Sequence, residues 1–236
     1  MSYEILRKNE TEYEVQQRIK ELCENIDKYL DIFENNCPFN PRQREYHIKT
    51  IHHRFRFSDV ISALKDDIFI RNLWETLRVW GLGTRGSKLL CLNDFKKVLL
   101  EHKEYFSELD SIRIDDKNIS IEKVSVKLWD LMNKARVSRV KNPIVSGSKC
   151  FHHILPNLVP PIDREYTRPF FKFWLQYFQN NPRKAFIYMW KKFVLISYKV
   201  NLDKYVGKTK WCTSITKVLD NAIIGYCKCH NIPKLR

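Results

Sequence analysis

Apolar residues at helical spacing run through almost the whole chain, and this pattern constrains the fold more than any other feature. Between residues 11 and 35 they recur at steps of three and four: Ile19, Leu22, Cys23, Ile26, Tyr29, Leu30 and Phe33. Similar stripes occupy 67–80, 93–106, 120–135 and 213–230. Such steps place side chains on one face of an α-helix. No segment alternates apolar and polar residues over a convincing strand length, the nearest being 111–119. We therefore predict an all-α fold.

The length of 236 residues predicts a compact multi-helix globule. We expect a single helical domain over 1–236, in a layout that also admits two lobes, 1–115 and 116–236, with a groove between them. A hydrophobic content of 44% suffices for a sizeable core. Two aromatic-rich segments, one running from Asp163 to Phe178 and one over 186–196, are apolar on nearly all sides, which predicts two central, buried helices.

The composition favours a polyanionic partner. Lys and Arg number 42 against 27 Asp and Glu, which gives a formal net charge of +15, and such a field attracts nucleic acid. We expect no membrane contact, because the chain has no stretch of about 18 uncharged apolar residues. Residues 1–14 lack an apolar run, so a cytoplasmic location is expected. The seven cysteines lack the spacing of a disulfide framework, which predicts reduced thiols, and we expect neither a metal nor another cofactor.

A glycine-rich basic turn follows the second helical stripe. Gly81, Gly83 and Gly86 have the spacing of a dinucleotide-binding loop, but that loop follows a strand, whereas here the preceding pattern is helical. The permissive backbone at Gly83 and Gly86 could direct amide groups at one phosphate, with Arg85 and Lys88 supplying positive charge. A helix that ends at Gly81 and continues into a solvated loop explains the same residues. The sequence leaves both interpretations open.

A second basic segment lies between residues 46 and 57. Basic side chains alternate there with aromatic ones: His47, Lys49, His52, His53, Arg54 and Arg56, with Tyr46, Phe55 and Phe57 among them. This mixture suits contacts with a nucleic-acid backbone and with bases, although a charged, solvated helix face has the same composition. The adjacent histidines at 52–53 and 152–153 diverge by about 100° on a helix, so we expect hydrogen-bonding roles for them rather than a shared metal.

Lys149 and Asp163 are the strongest candidates for chemistry. Lys149 ends the sequence Asn142-Pro143-Ile144-Val145-Ser146-Gly147-Ser148-Lys149, and Asp163 ends Pro160-Pro161-Ile162-Asp163. We expect each of them to open a helix. The positive end of the peptide dipoles then disfavours the charged form of Lys149 and favours the free amine that a nucleophile needs. An ordinary surface lysine and an N-capping aspartate are the structural alternative.

These two segments resemble the helix-hairpin-helix DNA glycosylases over Pro143–Thr167. In that family a hairpin containing proline and glycine ends in Gly-x-Lys, and a following Pro-x-Asp opens the next helix. Here Gly147-Ser148-Lys149 and Pro161-Ile162-Asp163 match the two elements. The resemblance implies a double-stranded DNA substrate with one flipped nucleotide. It also implies that Lys149 attacks the sugar to form a Schiff base and that Asp163 stabilises positive charge on the sugar or helps to deprotonate the amine.

We therefore predict a DNA base-excision enzyme, and the DNA contacts predicted for it lie in two groups. The first group follows the hairpin and comprises Gly147, Ser148, His152 and Arg164. The second group is the glycine turn and comprises Gly83, Arg85, Gly86 and Lys88. Two other interpretations are open: a non-catalytic nucleic-acid-binding helical protein, and a helical interaction protein whose aromatic helices are only core. The sequence identifies neither the excised base, which pocket shape decides, nor the oligomeric state.

Overall fold

The computed structural model describes the backbone of residues 3–83, 88–173 and 179–233, and the side chains of these ranges from residue 11 onward. The helices are α1 (Tyr3–Glu24), α2 (Ile26–Asn35), α3 (Pro41–Arg54), α4 (Val60–Lys65), α5 (Asp67–Leu77), α6 (Leu92–Glu101), α7 (Lys103–Asp110), α8 (Ile121–Lys134), α9 (Ile144–Ile154), α10 (Thr167–Phe170), α11 (Pro182–Lys199) and α12 (Ile215–Cys229). A π-helical turn, Arg78–Leu82, continues α5, and a 3-10 turn spans Asp203–Tyr205. The described residues form no strand, only an isolated bridge between Leu89 and Ser138. The all-α prediction is confirmed.

Capping side chains set several of the helix boundaries. Asn40 and Gln43 form a capping box at the start of α3, where Pro41 occupies the first turn. Side-chain oxygens also accept backbone amide hydrogen bonds at the starts of α4, α5 and α12, from Asp59, Asp66 and Ser214 respectively. Each cap satisfies an N–H group that has no partner inside its helix. Local sequence therefore fixes where these helices begin.

The helices α2 and α12 pack closely at a glycine. A Cβ atom at Gly225 of α12 would collide with the backbone carbonyl of Tyr29 in α2, so only glycine permits this approach. Around the pair, one cluster of buried apolar side chains extends from Val15 in α1 to Cys227 in α12. The first and last helices therefore share a core.

Several predicted helices differ from the structure. The helix predicted over 93–106 breaks at His102, between α6 and α7. The helix predicted over 11–35 breaks at Asn25, between α1 and α2. The long helix predicted after Asp163 is wrong over its described part, because only Thr167–Phe170 is helical. Lys172 follows with a left-handed φ of 56°, which ends the helical run. Residues 174–178 of that prediction lie outside the described residues. The other aromatic segment, 186–196, is helical within α11 as predicted.

Four structural elements converge where the predicted chemistry lies. These are α3, the π-helical turn, α9 with the segment that follows it, and α12. Across the parts of the chain that the structure describes, no helix combines the length and the apolar composition needed to cross a bilayer.

Candidate functional site

Lys149 and Asp163 line the same small cleft. The complete lining is Phe39, Gln43, Trp80, Lys149, Pro161, Asp163, Lys217 and Asp220. The cleft has a volume of about 40 Å³, which is room for about three water molecules. The structure thus brings together the amine and the carboxylate that the sequence singled out, and it adds a second pair of opposite charges.

Lys149 reaches the cleft from the centre of a helix. Because α9 spans Ile144–Ile154, the predicted position of Lys149 at a helix start is wrong. The helix begins earlier, where Asn142 Oδ1 accepts a hydrogen bond from the Ile144 N–H at 3.0 Å. The dipole effect falls off within the first turn, so it gives no reason for Lys149 to lose its proton. Lys149 Nζ instead lies 5.6 Å from the centroid of the Trp80 ring, within cation–π range.

Asp163 caps a turn and also faces the cleft. Its Oδ1 accepts hydrogen bonds from the backbone N–H groups of Glu165, Tyr166 and Thr167 at 2.8, 2.6 and 3.2 Å. The turn that it caps leads into α10, which begins four positions later than predicted. The other carboxylate oxygen, Oδ2, takes no part in this cap, and the partly exposed side chain lines the cleft. Arg164, the next residue, is exposed.

A buried ion pair lies beside these two residues. Lys217 Nζ is 2.5 Å from Asp220 Oδ2, and the two side chains are only 1% and 5% exposed. Four aromatic rings surround the ammonium group, with centroids 5.1 to 5.8 Å from Nζ: Phe33, Phe39, Trp80 and Trp211. Such rings favour a cation over their faces.

The four charged groups of the cleft influence one another. Burial raises the pKa of Asp220, and the nearby carboxylate of Asp163 acts in the same direction. The positive charges of Lys217 and Lys149 oppose that rise in the pKa of Asp220. The cleft therefore contains two amines and two carboxylates that are electrostatically coupled.

A chain of hydrogen bonds through buried histidines lies behind the Trp80 ring. The Thr213 Oγ1 atom is 2.8 Å from His47 Nε2, His47 Nδ1 is 3.0 Å from His153 Nε2, and His153 Nδ1 is 2.8 Å from the Lys149 carbonyl oxygen. A carbonyl oxygen only accepts hydrogen bonds, so one arrangement of protons fits: Nδ1–H of each histidine donates along the chain and the threonine hydroxyl donates to His47. The chain fixes the backbone at Lys149.

These histidines are uncharged near neutral pH. Burial lowers the pKa of His47 and His152 well below the usual value and that of His153 to about 4. The positive charge of Lys217 contributes in the same direction for all three. The ring centroids of His47 and His153 lie 5.2 and 5.0 Å from that of Trp80. The neutral rings therefore support the tryptophan that forms one wall of the cleft.

The structure corrects the DNA contacts predicted for Gly147, Ser148 and His152, because all three residues are buried. The Gly147 N–H donates to the Pro143 carbonyl oxygen at 2.7 Å within the helix, and the missing side chain makes room for Met132. The His152 Nδ1 atom hydrogen-bonds inside the core. In this structure their polar groups face the protein, where a phosphate cannot reach them.

Ser148 has a different role that bears directly on the cleft. Its Oγ accepts a hydrogen bond from the Ile162 N–H at 3.0 Å, and both groups are buried. This bond ties α9 to the segment that carries Asp163. Ser148 therefore helps to hold Lys149 and Asp163 at one place.

The glycine turn is only partly described. Gly81 lies inside the π-helical turn and has φ of 85° and ψ of 11°, the left-handed region that glycine adopts readily, so the regular helical backbone stops there. This geometry agrees with the interpretation of Gly81 as a helix end. Gly83 and Lys88 are exposed. Arg85 and Gly86 lie outside the described residues.

The basic segment over 46–57 divides between core and surface. His47, His53 and Arg54 are buried or nearly so, and Arg54 Nε donates to the Ile154 carbonyl oxygen at 2.8 Å. His52 is exposed, as are Lys49 and Arg56. The hydrogen-bonding role expected for the adjacent histidines is confirmed by His53, His152 and His153.

Sequence reasoning missed five residues of the cleft: Phe39, Gln43, Trp80, Lys217 and Asp220. Trp80 was assigned only to an apolar stripe. The sequence contains no clear signal for the charged pair, because Lys217, Asp220 and Asn221 fall on the face of α12 opposite the apolar stripe, which is the pattern of a solvated face. The structure buries the entire stretch from Ile215 to Cys227.

No protein-family model, curated protein or solved structure matches this chain. In the ranges that the structure describes, no group of three or more His, Cys, Asp or Glu side chains is arranged to hold a metal ion. The function therefore has to be argued from the cleft and its surroundings.

Proposed function

We propose that this protein removes a base from double-stranded DNA, with Lys149 as the nucleophile and Asp163 as the carboxylate that assists it. The observation that supports the proposal is the shared cleft: the two side chains come from different segments and line one cavity. The local resemblance to helix-hairpin-helix DNA glycosylases assigns the same two residues to this chemistry. The net charge of +15 is consistent with a DNA substrate.

In the proposed reaction Lys149 passes a proton to Asp163, and the uncharged amine forms a bond to the anomeric carbon while the N-glycosidic bond breaks. The electron pair of that bond leaves with the base, which takes up a proton. Asp163 stabilises the positive charge that develops on the sugar. Opening of the sugar ring then gives a Schiff base on Lys149. Loss of a C2′ proton expels the 3′ phosphate by β-elimination, and water releases the sugar from the lysine. If water attacks in place of Lys149, only the base is removed.

Phe39 and Trp80 provide aromatic walls suited to a planar base. Their rings are parallel within 5° and their centroids are 6.4 Å apart. Stacking on such rings contributes about 1–3 kcal/mol per base, which is comparable with the cost of extruding a nucleotide. A volume of about 40 Å³ does not hold a base, so a wall must move on binding. Trp80 is the candidate, because it lies on a π-helical turn next to the left-handed Gly81.

Borohydride trapping on duplexes that carry an abasic site or a damaged base tests the proposal. We expect a covalent adduct with the wild-type protein and none with Lys149→Ala or Lys149→Gln. The control Lys141→Ala removes an exposed lysine from the segment before α9 and should keep the adduct. Peptide mapping distinguishes Lys149 from Lys217, the other amine in the cleft. An adduct that maps to Lys217 would overturn the assignment of the nucleophile.

A non-catalytic nucleic-acid-binding protein is the second candidate, and the small volume of the cleft favours it. In that case duplex binding falls steeply with salt, but neither base release nor a trapped adduct appears on any substrate. Lys149→Ala would then leave duplex affinity almost unchanged, because the cleft would not contact the nucleic acid.

A further inference from the structure

We propose that a basic groove beside the cleft binds the sugar–phosphate backbone of the DNA substrate, an inference that rests on the proposed function. The basic groove is defined by Arg44 and His52 of α3 on one side and by Lys208 and Lys210 of the segment 206–213 on the other. Its volume is about 1060 Å³, against about 40 Å³ for the cleft. The groove, unlike the cleft, has the size that a nucleic-acid strand requires.

The positive charge of the groove is not neutralised by the protein. Glu34 is the one acidic residue in its described lining. Within the described residues, no carboxylate lies within ion-pair distance of Arg44, Lys208 or Lys210. Some cations on other surfaces are paired, as in the bonds of Lys96 to Asp67 at 2.5 Å and of Arg113 to Asp203 at 2.8 Å, whereas Arg44, Lys208 and Lys210 line one groove together. The groove therefore holds a local cluster of positive charge, which attracts phosphates.

Apolar and hydroxyl groups accompany these cations. Phe55 is 50% exposed and Val206 is 39% exposed, and both residues line the groove. Thr209 and Thr213 supply hydroxyl groups. Phosphates bind to basic and hydroxyl side chains, and exposed rings stack on bases or sugars. This combination suits a nucleic acid better than an acidic peptide, whose carboxylates need no ring faces.

The groove and the cleft share two elements. In α3, Arg44 lines the groove while the preceding residue, Gln43, lines the cleft. In the segment 206–213, Lys210 lines the groove, and the ring of the next residue, Trp211, lies 5.1 Å from that of Phe39 in the cleft wall. A strand held in the groove therefore passes beside the cleft, where a flipped nucleotide would enter.

The test compares the salt dependence of binding for two triple variants. The labelled duplex carries a tetrahydrofuran abasic-site analogue, which cannot form a Schiff base, and binding is followed by fluorescence anisotropy at several salt concentrations. For Arg44→Gln/Lys208→Gln/Lys210→Gln we expect the slope of log Kd against log salt to fall by about 3, because each phosphate contact contributes about 0.9. The control Lys65→Gln/Lys117→Gln/Lys123→Gln removes three exposed charges outside the groove and should keep the wild-type slope.

Each outcome decides the proposal independently of the chemistry at Lys149. A groove variant with the slope of the control overturns the inference, even if the wild-type protein forms a trapped adduct. A reduced slope with neither base release nor a trapped adduct supports the groove and contradicts base excision. Polyglutamate that binds as tightly as the duplex, and through the same three residues, overturns the choice of nucleic acid. If the triple variant does not fold, the single variants Lys208→Gln and Lys210→Gln should each lower the slope by about 1.

Discussion

Lys217 and Asp220 lie one helical turn apart on α12 and form an ion pair of 2.5 Å that is almost completely withdrawn from water. Removing two charges from water is costly, and their mutual attraction only partly compensates for it. The same loss of hydration raises the pKa of Asp220, because burial disfavours its charged form. The pair therefore contributes little net stability, although either charge alone would be strongly destabilising.

Asp220→Asn should lower the free energy of unfolding by about 3–5 kcal/mol, because it leaves the Lys217 ammonium buried without a counter-charge. The double variant Lys217→Met/Asp220→Leu replaces both charges by apolar groups and should regain most of that loss. Urea denaturation of the wild-type, single and double variants measures the difference. A single variant that is as stable as the double variant would contradict the buried, coupled pair.

Acid should destabilise the protein through the buried histidines. In the folded state the pKa values of His47 and His152 lie well below 6.5 and that of His153 is about 4. Between about pH 6.5 and 4 these histidines bind protons in the unfolded chain but stay neutral in the folded chain. The free energy of unfolding therefore falls as pH falls. His153 alone accounts for roughly 3 kcal/mol over this window.

Thermal and urea denaturation across this pH range check the effect. His153→Gln should be less stable than the wild type at pH 7, because the hydrogen-bond chain is broken, but its stability should depend less on pH. His52→Gln is the control, since His52 is exposed, and it should keep the wild-type pH dependence. Equal pH dependence in all three proteins would rule out a contribution from His153.

The two helical glycines Gly147 and Gly225 should respond differently to substitution by alanine. A Cβ at Gly225 would collide with the backbone of Tyr29, whereas a Cβ at Gly147 would meet the flexible side chain of Met132. Both changes gain about 1 kcal/mol of helix propensity, so the difference between them reports packing. We expect Gly225→Ala to be the more destabilising, by about 1–3 kcal/mol. Urea denaturation measures it, and equal stabilities would contradict the close approach of α2 and α12.

The fold could be predicted because each helix carries its own signal. The apolar stripes needed only the spacing of three and four residues. The structure forms helices over each of these stripes, although those predicted over 11–35 and 93–106 are each divided into two helices. The predicted start of α9 was wrong because Gly147 was interpreted as a hairpin residue. In the structure Gly147 is an ordinary helical position whose small size accommodates Met132, and this contact between distant segments leaves no trace in the local sequence.

The candidate site could be predicted only in part, for a similar reason. Lys149 and Asp163 are close in sequence and belong to one recognisable pair of segments. Trp80 and Lys217 arrive from other parts of the chain, and only tertiary packing places them against Lys149. Lys217 in particular looks like a solvated cation until the burial of every face of α12 is known.

Substitutions of Asp163 can distinguish a structural role from a catalytic one, because its Oδ1 caps a turn while its side chain lines the cleft. Asp163→Asn keeps a side-chain oxygen for the three amides and should retain wild-type stability. Asp163→Ala loses the cap, which costs about 0.5–2 kcal/mol. Both variants should slow adduct formation on abasic duplex by roughly 100-fold or more, the usual contribution of a positioned acid or base.

The matched control for this comparison is Asp59→Ala, which removes another aspartate cap, the 2.8 Å bond from the Ser62 N–H at the start of α4. It should lose similar stability and trap DNA at the wild-type rate. Urea denaturation and single-turnover trapping are measured on all three variants. If Asp163→Asn traps DNA as fast as the wild type while Asp163→Ala does not, Asp163 acts only by capping. The carboxylate would then have no part in the chemistry, and Lys149 would need another group to accept its proton.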